Sequence, residues 1–205
     1  MVRGGATPSA TSQALRIDPN TGYSPEACLQ LAKDLEPYNL QYFEQPMPEN
    51  CDADSARIRK LTTTPLALNE SVTTLAVVRE ILAMEAADFL LPDTYQCGGI
   101  WNTKLVAEVA ASAGVPCIVH CAHDLGPKTA AMLHLAASTP NFPLANDCTY
   151  YGLVDDVITH PSGNPQRPAA RPRNPRPGHR GRPGEGAEVS DRRVVLISPE
   201  SLELP

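Results

Sequence analysis

The feature that most constrains this chain is a unit repeated between residues 15 and 150, in which a short apolar run precedes an amphipathic helical pattern. Parallel strands need a crossover between them, and a helix is its usual form. The repetition therefore predicts an α/β fold with a parallel sheet or barrel. The six predicted strands are ALRID, LQYFEQP, PLALNES, DFLLPD, PCIVHC and FPLAND.

Helix signals follow the predicted strands. Ser24 and Pro25 form an N-cap with proline at the first helical position. Gly114, just before Pro116, is the type of residue that ends a helix. In the third unit, apolar side chains share one helical face at Leu75, Val78, Ile81 and Leu82. Such helices can bury one face against the sheet.

Six strands are fewer than a closed (β/α) barrel contains. Such a barrel has about eight strands and about 250 residues. Residues 1–14 are predicted to be an unstructured start that cannot supply the missing strands. We expect residues 15–160 to form the later six strands of a TIM-like barrel. An open doubly wound sheet is the competing architecture.

Oxygen-bearing side chains stand at the ends of the first three predicted strands. Asp18 ends the first, Glu44 follows 26 residues later, and the adjacent residues Asn69 and Glu70 follow 25 and 26 residues after Glu44. In a barrel the C-terminal ends of the strands open on one face, so these groups would meet around one point. This regular series favours the barrel over the open sheet.

Clustered carboxylates repel one another unless a cation lies between them. Hard oxygen ligands of this kind suit Mg²⁺. We therefore predict a magnesium site formed by Asp18, Glu44 and one of Asn69 and Glu70. Side chains alternate along a strand, so one of the last two residues is expected to face the metal, and the spacing does not decide between them.

The fourth and fifth strand ends carry Asp93 and His120, which are 27 residues apart. A carboxylate beside an imidazole fixes the tautomer of the ring and raises its basicity. Such a pair is a competent general base near neutral pH. We predict that Asp93 and His120 are catalytic residues on the same face as the metal site.

Beyond the predicted barrel, residues 161–185 are rich in proline, arginine and glycine and cannot bury a core. We expect a solvated loop there, followed by a C-terminal segment over residues 186–205. Eight of the 17 Lys and Arg residues fall between residues 161 and 193, so the barrel region is acidic and a poor nucleic-acid binder. RNA binding by the loop is the alternative, although no aromatic side chain is interleaved for base stacking.

The sequence gives no sign of membrane insertion. It has no run of about 20 apolar residues, and its first residues lack the apolar core of a signal peptide. Its six cysteines are scattered without CxxC pairs, which suits a reducing compartment. We expect a cytoplasmic protein without membrane or nucleic-acid partners, whose cysteines are small buried apolar side chains.

The candidate residues lie in stretches that resemble the mandelate racemase/muconate lactonizing enzyme family of the enolase superfamily. The stretches are RIDPNTGYSPEACLQLAKDLE, YFEQPM, PLALNES, LLPDTYQCGGI, VHCAHDLGPKTAAMLHLAAS and, near the end, PGEGAEV. The motifs are closest to those of acid-sugar dehydratases of the glucarate and galactonate type. Asp93 stands where muconate-type members carry lysine, and an asparagine ligand at Asn69 is similar to glucarate dehydratases.

The resemblance implies a (β/α)₇β barrel with an N-terminal capping domain, and we expect this chain to lack that domain and the first two strands. It implies Mg²⁺ at the predicted ligands and a base that removes the proton α to a substrate carboxylate, with stabilisation of the resulting enediolate. His120, held by Asp93, would be that base. Asn20 is a further candidate, as a substrate-binding residue.

The function that we expect is Mg²⁺-dependent dehydration of a sugar acid, a small-molecule carboxylate, by a carbon–oxygen lyase. Racemisation or epimerisation of a 2-hydroxy acid or a related carboxylate is the alternative reaction. A third interpretation is a barrel fragment without catalysis, because an open barrel exposes strand edges. A homo-oligomer is compatible with the sequence.

Overall fold

The structure, a computed structural model, describes residues 14–150, 153, 156 and 157 and the backbone of residues 195–197. The strands lie at Leu15–Ile17 (β1), Tyr42–Glu44 (β2), Leu66–Leu68 (β3), Phe89–Leu90 (β4), His120–Cys121 (β5), Asp147–Cys148 (β6) and Val195–Ile197 (β7). The helices lie at Pro25–Asp34 (α1), Asp52–Arg59 (α2), Leu75–Met84 (α3), Ile100–Ser112 (α4) and Gly126–Ser138 (α5), with 3₁₀ turns at Glu36–Tyr38 and Glu49–Cys51. Strands and helices thus alternate as the repeated unit predicts.

All paired strands are parallel. One sheet has the order β4, β3, β2, β1, β7, and β5 pairs with β6. The two sheets join where Leu90 bridges Cys117, because the Ile118 amide donates to the Leu90 carbonyl at 2.9 Å. The first six strands therefore lie side by side in chain order, as they do in a barrel.

Contacts between distant strands show that this sheet curls. Arg16 on β1 donates from Nη2 to the carbonyl of Ala145, just before β6, at 2.8 Å. The Tyr42 hydroxyl on β2 donates to Asp147 Oδ2 on β6 at 3.3 Å. An open doubly wound sheet would hold its first and sixth strands far apart. The predicted partial (β/α) barrel is therefore confirmed.

Alternation along the strands divides the core into an inner and an outer layer. Phe43 packs outwards against Cys28 and Ala32 of α1. Helices α3 and α4 cover the outer face of β3 and β4, and α5 covers that of β5 and β6. The inner layer, within the curl, is built around Tyr42, Ala67, Leu91 and Ile118.

The predicted helix signals are present. Ser24 Oγ accepts a hydrogen bond from the Ala27 amide at 3.3 Å, and Pro25 is the first residue of α1. Gly114 follows the end of α4 with a φ of 73°, a left-handed conformation that glycine adopts readily. Local chemistry therefore sets where α1 begins and where α4 ends.

Strand β7 is not predicted by the sequence pattern. It lies in the predicted C-terminal segment and pairs with the edge of β1 that β2 leaves open, with Arg16 opposite Leu196. Residues 1–13 of the predicted unstructured start and the predicted loop at 161–185 lie outside the described residues. Within the described part of the chain, no helix is long and apolar enough to cross a membrane.

Candidate active site

Asp18 lies directly after β1, at the C-terminal end of the strand. Its two oxygens accept hydrogen bonds from the backbone amide and the side-chain amide of Asn20, both at 2.8 Å. Burial raises the pKa of Asp18, against the lowering effect of the backbone hydrogen bond. Asn20 itself is exposed, and its role in substrate binding stays a prediction.

Glu44, the last residue of β2, is almost completely buried, with 2% of its surface exposed. Burial raises its pKa well above the usual value, and the negative charges of Asp18, Asp147 and Glu70 raise it further. Its Oε1 lies 3.7 Å from Nε2 of His120. Glu44 therefore places one of the predicted metal ligands beside the predicted base.

The structure distinguishes the two residues at the third strand end. Asn69 is buried, and its Nδ2 donates to the carbonyl of Leu91 at 2.7 Å. Glu70 is half-buried, and its Oε2 is buried without a hydrogen-bond partner. Burial raises the pKa of Glu70, and the negative charge of Asp18 adds to this effect. Glu70 therefore has an uncommitted carboxylate oxygen, whereas Asn69 ties β3 to the chain after β4.

The acids Asp18, Glu44 and Glu70 lie close enough for the charge of one to raise the pKa of another. Among the residues that the structure describes, no three His, Cys, Asp or Glu side chains are already arranged as a metal site. The donor set nevertheless fits a hard divalent cation, because it consists of carboxylates and includes the orphaned Glu70 oxygen. A cation between them would replace repulsion by attraction.

His120, the first residue of β5, lies against Asp93, with Nδ1 3.4 Å from Asp93 Oδ2. Burial alone would raise the pKa of Asp93, but hydrogen bonds from His120, Lys128 and the Tyr95 amide lower it to about 2. Asp93 is therefore ionised at neutral pH. The ring nitrogen beside it must then be the donor, which leaves Nε2 to face Glu44.

The basicity of His120 is increased by its surroundings. Burial lowers its pKa, but the hydrogen bond to Asp93 and the negative charges of Asp147, Asp93 and Asp18 raise it by more. The structure thus brings the predicted pair together and places it beside the acid cluster. A partly buried imidazole with a carboxylate behind it can accept a proton from a molecule in front of it.

Lys128 is a further residue of the candidate active site, and the sequence pattern does not reveal it. Its Nζ lies 2.7 Å from Asp93 Oδ2 and 2.8 Å from Asp124 Oδ2. The four-residue spacing of Asp124 and Lys128 is a recognisable ion-pair signal, but the contact with Asp93 spans 35 residues. Lys128 binds the same oxygen as His120, so it shares the charge that raises the basicity of the imidazole.

The sequence pattern also does not reveal a group of interacting polar side chains inside the barrel. Arg16 is only 1% exposed, and its guanidinium carbon lies 4.8 Å from the centre of the Tyr42 ring. Tyr42 in turn donates to Asp147, whose charge raises the pKa of both Glu44 and His120. The available signals were an arginine between two apolar strand residues and an acid at the end of the sixth predicted strand.

Gln45 connects the ends of β2 and β3. Its buried Oε1 accepts from the amides of Asn69 at 3.0 Å and Ser71 at 3.3 Å, the residues on either side of Glu70. Its Nε2 donates to the Met47 carbonyl at 2.9 Å and to Ser71 Oγ at 3.1 Å. The φ of 24° lies in the left-handed region, which glutamine rarely adopts. Gln45 therefore holds the turn that carries Glu70.

Known proteins share this sequence pattern. A family model described as enolase C-terminal domain-like matches residues 4–193. A probable glucarate dehydratase of Streptomyces coelicolor is 36% identical over 145 residues, which are 71% of this chain and 33% of the relative. A D-mannonate dehydratase of Caulobacter vibrioides is 35% identical over 138 residues, which are 67% of this chain and 34% of the relative.

Solved structures share the fold. An enolase of Mycobacterium smegmatis complexed with tartrate has a TM-score of 0.66 and 30% identity, over 73% of this chain and 35% of that chain. An N-succinyl Arg/Lys racemase of Bacillus cereus has a TM-score of 0.64 and 28% identity, over 66% of this chain and 37% of that chain. The chain spans about a third of the length of the curated relatives that it matches. As the sequence motifs predict, it belongs to the enolase C-terminal domain-like family of the enolase superfamily.

Proposed function

We propose that this chain carries the metal ligands and the base of an enzyme that removes the proton α to a carboxylate and dehydrates a sugar acid. The observation that carries the proposal is the position of His120, 3.7 Å from Glu44 and beside a cluster of acids. A proton next to a carboxylate is only weakly acidic, so the reaction needs a base and positive charge at one place. The relatives named as glucarate and D-mannonate dehydratases support a sugar acid as the substrate.

Asp18, Glu44 and Glu70 are the proposed Mg²⁺ ligands. Mg²⁺ bound there would supply positive charge to the substrate carboxylate as its α carbon is deprotonated. Glu70 is chosen as the third ligand because its carboxylate supplies negative charge and its Oε2 is buried without a hydrogen-bond partner, whereas Asn69 would supply a neutral carbonyl oxygen. An enolase of Pseudomonas fluorescens, solved with bound magnesium, potassium and tartrate, supports the choice of ion.

His120 is the proposed base. Asp93 holds its Nδ1 side, so Nε2 is free to take a proton on the side of the acid cluster. The ring is 16% exposed, which lets a substrate reach it while most bulk water is kept away. After taking the α proton, the imidazolium gives a proton to the hydroxyl group on the neighbouring carbon, which leaves as water. The net reaction is the loss of one water from the sugar acid.

Racemisation or epimerisation is the second candidate, and the racemase of Bacillus cereus among the matching structures favours it. The two reactions share the removal of the α proton. They differ afterwards, because an epimerase returns a proton to the same carbon and releases no water. Products therefore separate the two candidates.

Hydrogen exchange tests the proposal. The 205-residue chain is incubated in D₂O with Mg²⁺ and a panel of hexonic and hexaric acids, and NMR follows the α hydrogen and the keto acid formed by dehydration. We expect exchange together with dehydration for at least one acid. Exchange without dehydration would identify the epimerase reaction. If a chain that binds Mg²⁺ gives neither, the proposal is wrong and the interpretation as a fragment without catalysis stands.

Two histidine variants give a matched comparison. His120→Asn removes the base and keeps a polar side chain, so we expect the exchange rate to fall by about 100-fold or more. His134→Asn changes an exposed histidine on α5 and should leave the rate unchanged. Equal exchange rates in the wild type and in His120→Asn would show that a different group is the base.

A further inference from the structure

Cys121 and Cys148 are opposed residues on neighbouring strands. Cys121 ends β5, Cys148 ends β6, and the parallel register pairs them. Neighbouring strands lie about 4.8 Å apart, within the range of Cα separations that a disulfide spans. Both side chains face α5, where they pack with Val119, Met132 and Leu135. Both thiols are free in the structure.

The two thiols differ in exposure and acidity. Cys121 is 2% exposed, whereas Cys148 is half-buried. A hydrogen bond from Cys121 lowers the pKa of Cys148 to about 7, with a contribution from the Tyr150 amide and against the effect of burial. The same hydrogen bond, together with burial, raises the pKa of Cys121. Cys148 is therefore the more acidic and the more accessible of the two thiols.

Three other buried cysteines are less acidic than an ordinary thiol. Burial raises the pKa of Cys28 and of Cys117 to about 12 and that of Cys97 to about 11. Thiols that stay protonated at neutral pH are poor nucleophiles. The expectation of a small buried apolar side chain fits these three cysteines, but it does not describe Cys148.

We propose that Cys121 and Cys148 are a dithiol modification site for low-molecular-weight disulfides, which convert the pair into a disulfide between β5 and β6. The Cys148 thiolate attacks one sulfur of the small disulfide, and the other half leaves as a thiolate that takes a proton from water. Cys121 then gives its proton to solvent and attacks the Cys148 sulfur, and the second half of the small disulfide leaves as a thiolate that takes a proton from solvent. The two cysteines lose two electrons, and the small disulfide is reduced to two thiols.

The position of this bond links it to the candidate active site. His120 precedes Cys121 and Asp147 precedes Cys148, and both neighbours face the inner side of the sheet. A bond between the cysteines would tie together the two strand ends that carry His120 and Asp147. The thiol chemistry does not depend on the proposed function, so it is testable without an activity assay.

Oxidised glutathione is the probe. The reduced 205-residue chain is treated with it at neutral pH, remaining thiols are blocked with N-ethylmaleimide, and linked tryptic peptides are identified by mass spectrometry. Cleavage after Lys128 separates Cys121 from Cys148, so their bond joins two peptides. We expect this cross-link in most of the chains. Its absence, or a cross-link of Cys148 to Cys117 in its place, would overturn the proposal.

Serine variants test the order of the two steps. In Cys121→Ser the second step is blocked, so we expect one glutathione to remain on Cys148. In Cys148→Ser we expect neither a cross-link nor glutathione on Cys121. Cys117→Ala is the matched control and should keep the cross-link, because Cys117 shares the tryptic peptide of Cys121. Glutathione on Cys121 would overturn the proposed order, and if a serine variant does not fold, the wild-type cross-link decides.

Discussion

Replacing Gln45 by alanine should loosen the turn that carries Glu70. The Gln45 side chain makes four internal hydrogen bonds of 2.9 to 3.3 Å. Alanine removes all four and leaves the amides of Asn69 and Ser71 without their acceptor. Glu70 lies between these two amides, so the change acts on both sides of the proposed metal ligand.

The expected loss of stability follows from the two orphaned amides. A buried donor without an acceptor costs about 1–3 kcal/mol, so two of them cost about 2–6 kcal/mol. Water entering the space left by the side chain would recover part of this, so we expect a loss of about 3 kcal/mol. That is a large share of a typical free energy of unfolding, which is about 5–15 kcal/mol. The left-handed backbone at position 45 does not reduce this loss of stability, because alanine tolerates that conformation no better than glutamine.

Urea unfolding followed by circular dichroism measures the loss in Gln45→Ala relative to the wild type. The matched control is Gln30→Ala, since Gln30 is exposed on α1 and donates to Asp34 at 2.9 Å on the surface. We expect the control to change the free energy of unfolding by less than about 0.5 kcal/mol. A loss below about 1 kcal/mol in Gln45→Ala, at an unchanged m-value, would refute the role of Gln45 in holding the turn.

Two further predictions use the same unfolding assay. The folded pKa of Asp93 is about 2, below its usual 3.8, so the stability that it contributes is present above the usual value and is lost as the pH falls towards about 2. The stability difference between the wild type and Asp93→Asn should therefore shrink by about 2 kcal/mol between about pH 6 and about pH 2, and a constant difference would contradict the pairing. Ser24→Ala removes the N-cap of α1 and should cost about 1 kcal/mol, and an unchanged midpoint would show that the cap is not needed.

Much of the fold was predictable because its determinants are local. Apolar runs, the Ser24 cap and Gly114 act over a few residues, and each marks an element that the structure contains. Strand β7 was not predictable in this way. Its pairing joins Leu15 to Val195 across the Pro/Arg-rich stretch, and no local pattern encodes which distant segment meets an open strand edge.

The candidate site was likewise predictable only where its determinants are local or follow from the repeated unit. Spacing by one unit predicted that Asp18, Glu44 and His120 would meet, because consecutive parallel strands end on one face. The choice of Glu70 over Asn69 depends on the buried Glu70 oxygen that has no hydrogen-bond partner, which spacing does not reveal. The contact of Lys128 with the predicted pair likewise depends on how α5 packs, and its residue type and position gave no sign of it.

Calorimetric titration of the 205-residue chain with Mg²⁺ tests most directly whether Asp18, Glu44 and Glu70 form one cation site. We predict one ion per chain, with an affinity at least about tenfold lower in Asp18→Asn, Glu44→Gln and Glu70→Gln, a loss of about 1.4 kcal/mol or more for each variant. Glu26→Gln, which changes an exposed acid on α1, should bind like the wild type. No binding by the folded wild type, or equal affinity in all these variants, would contradict the proposed site.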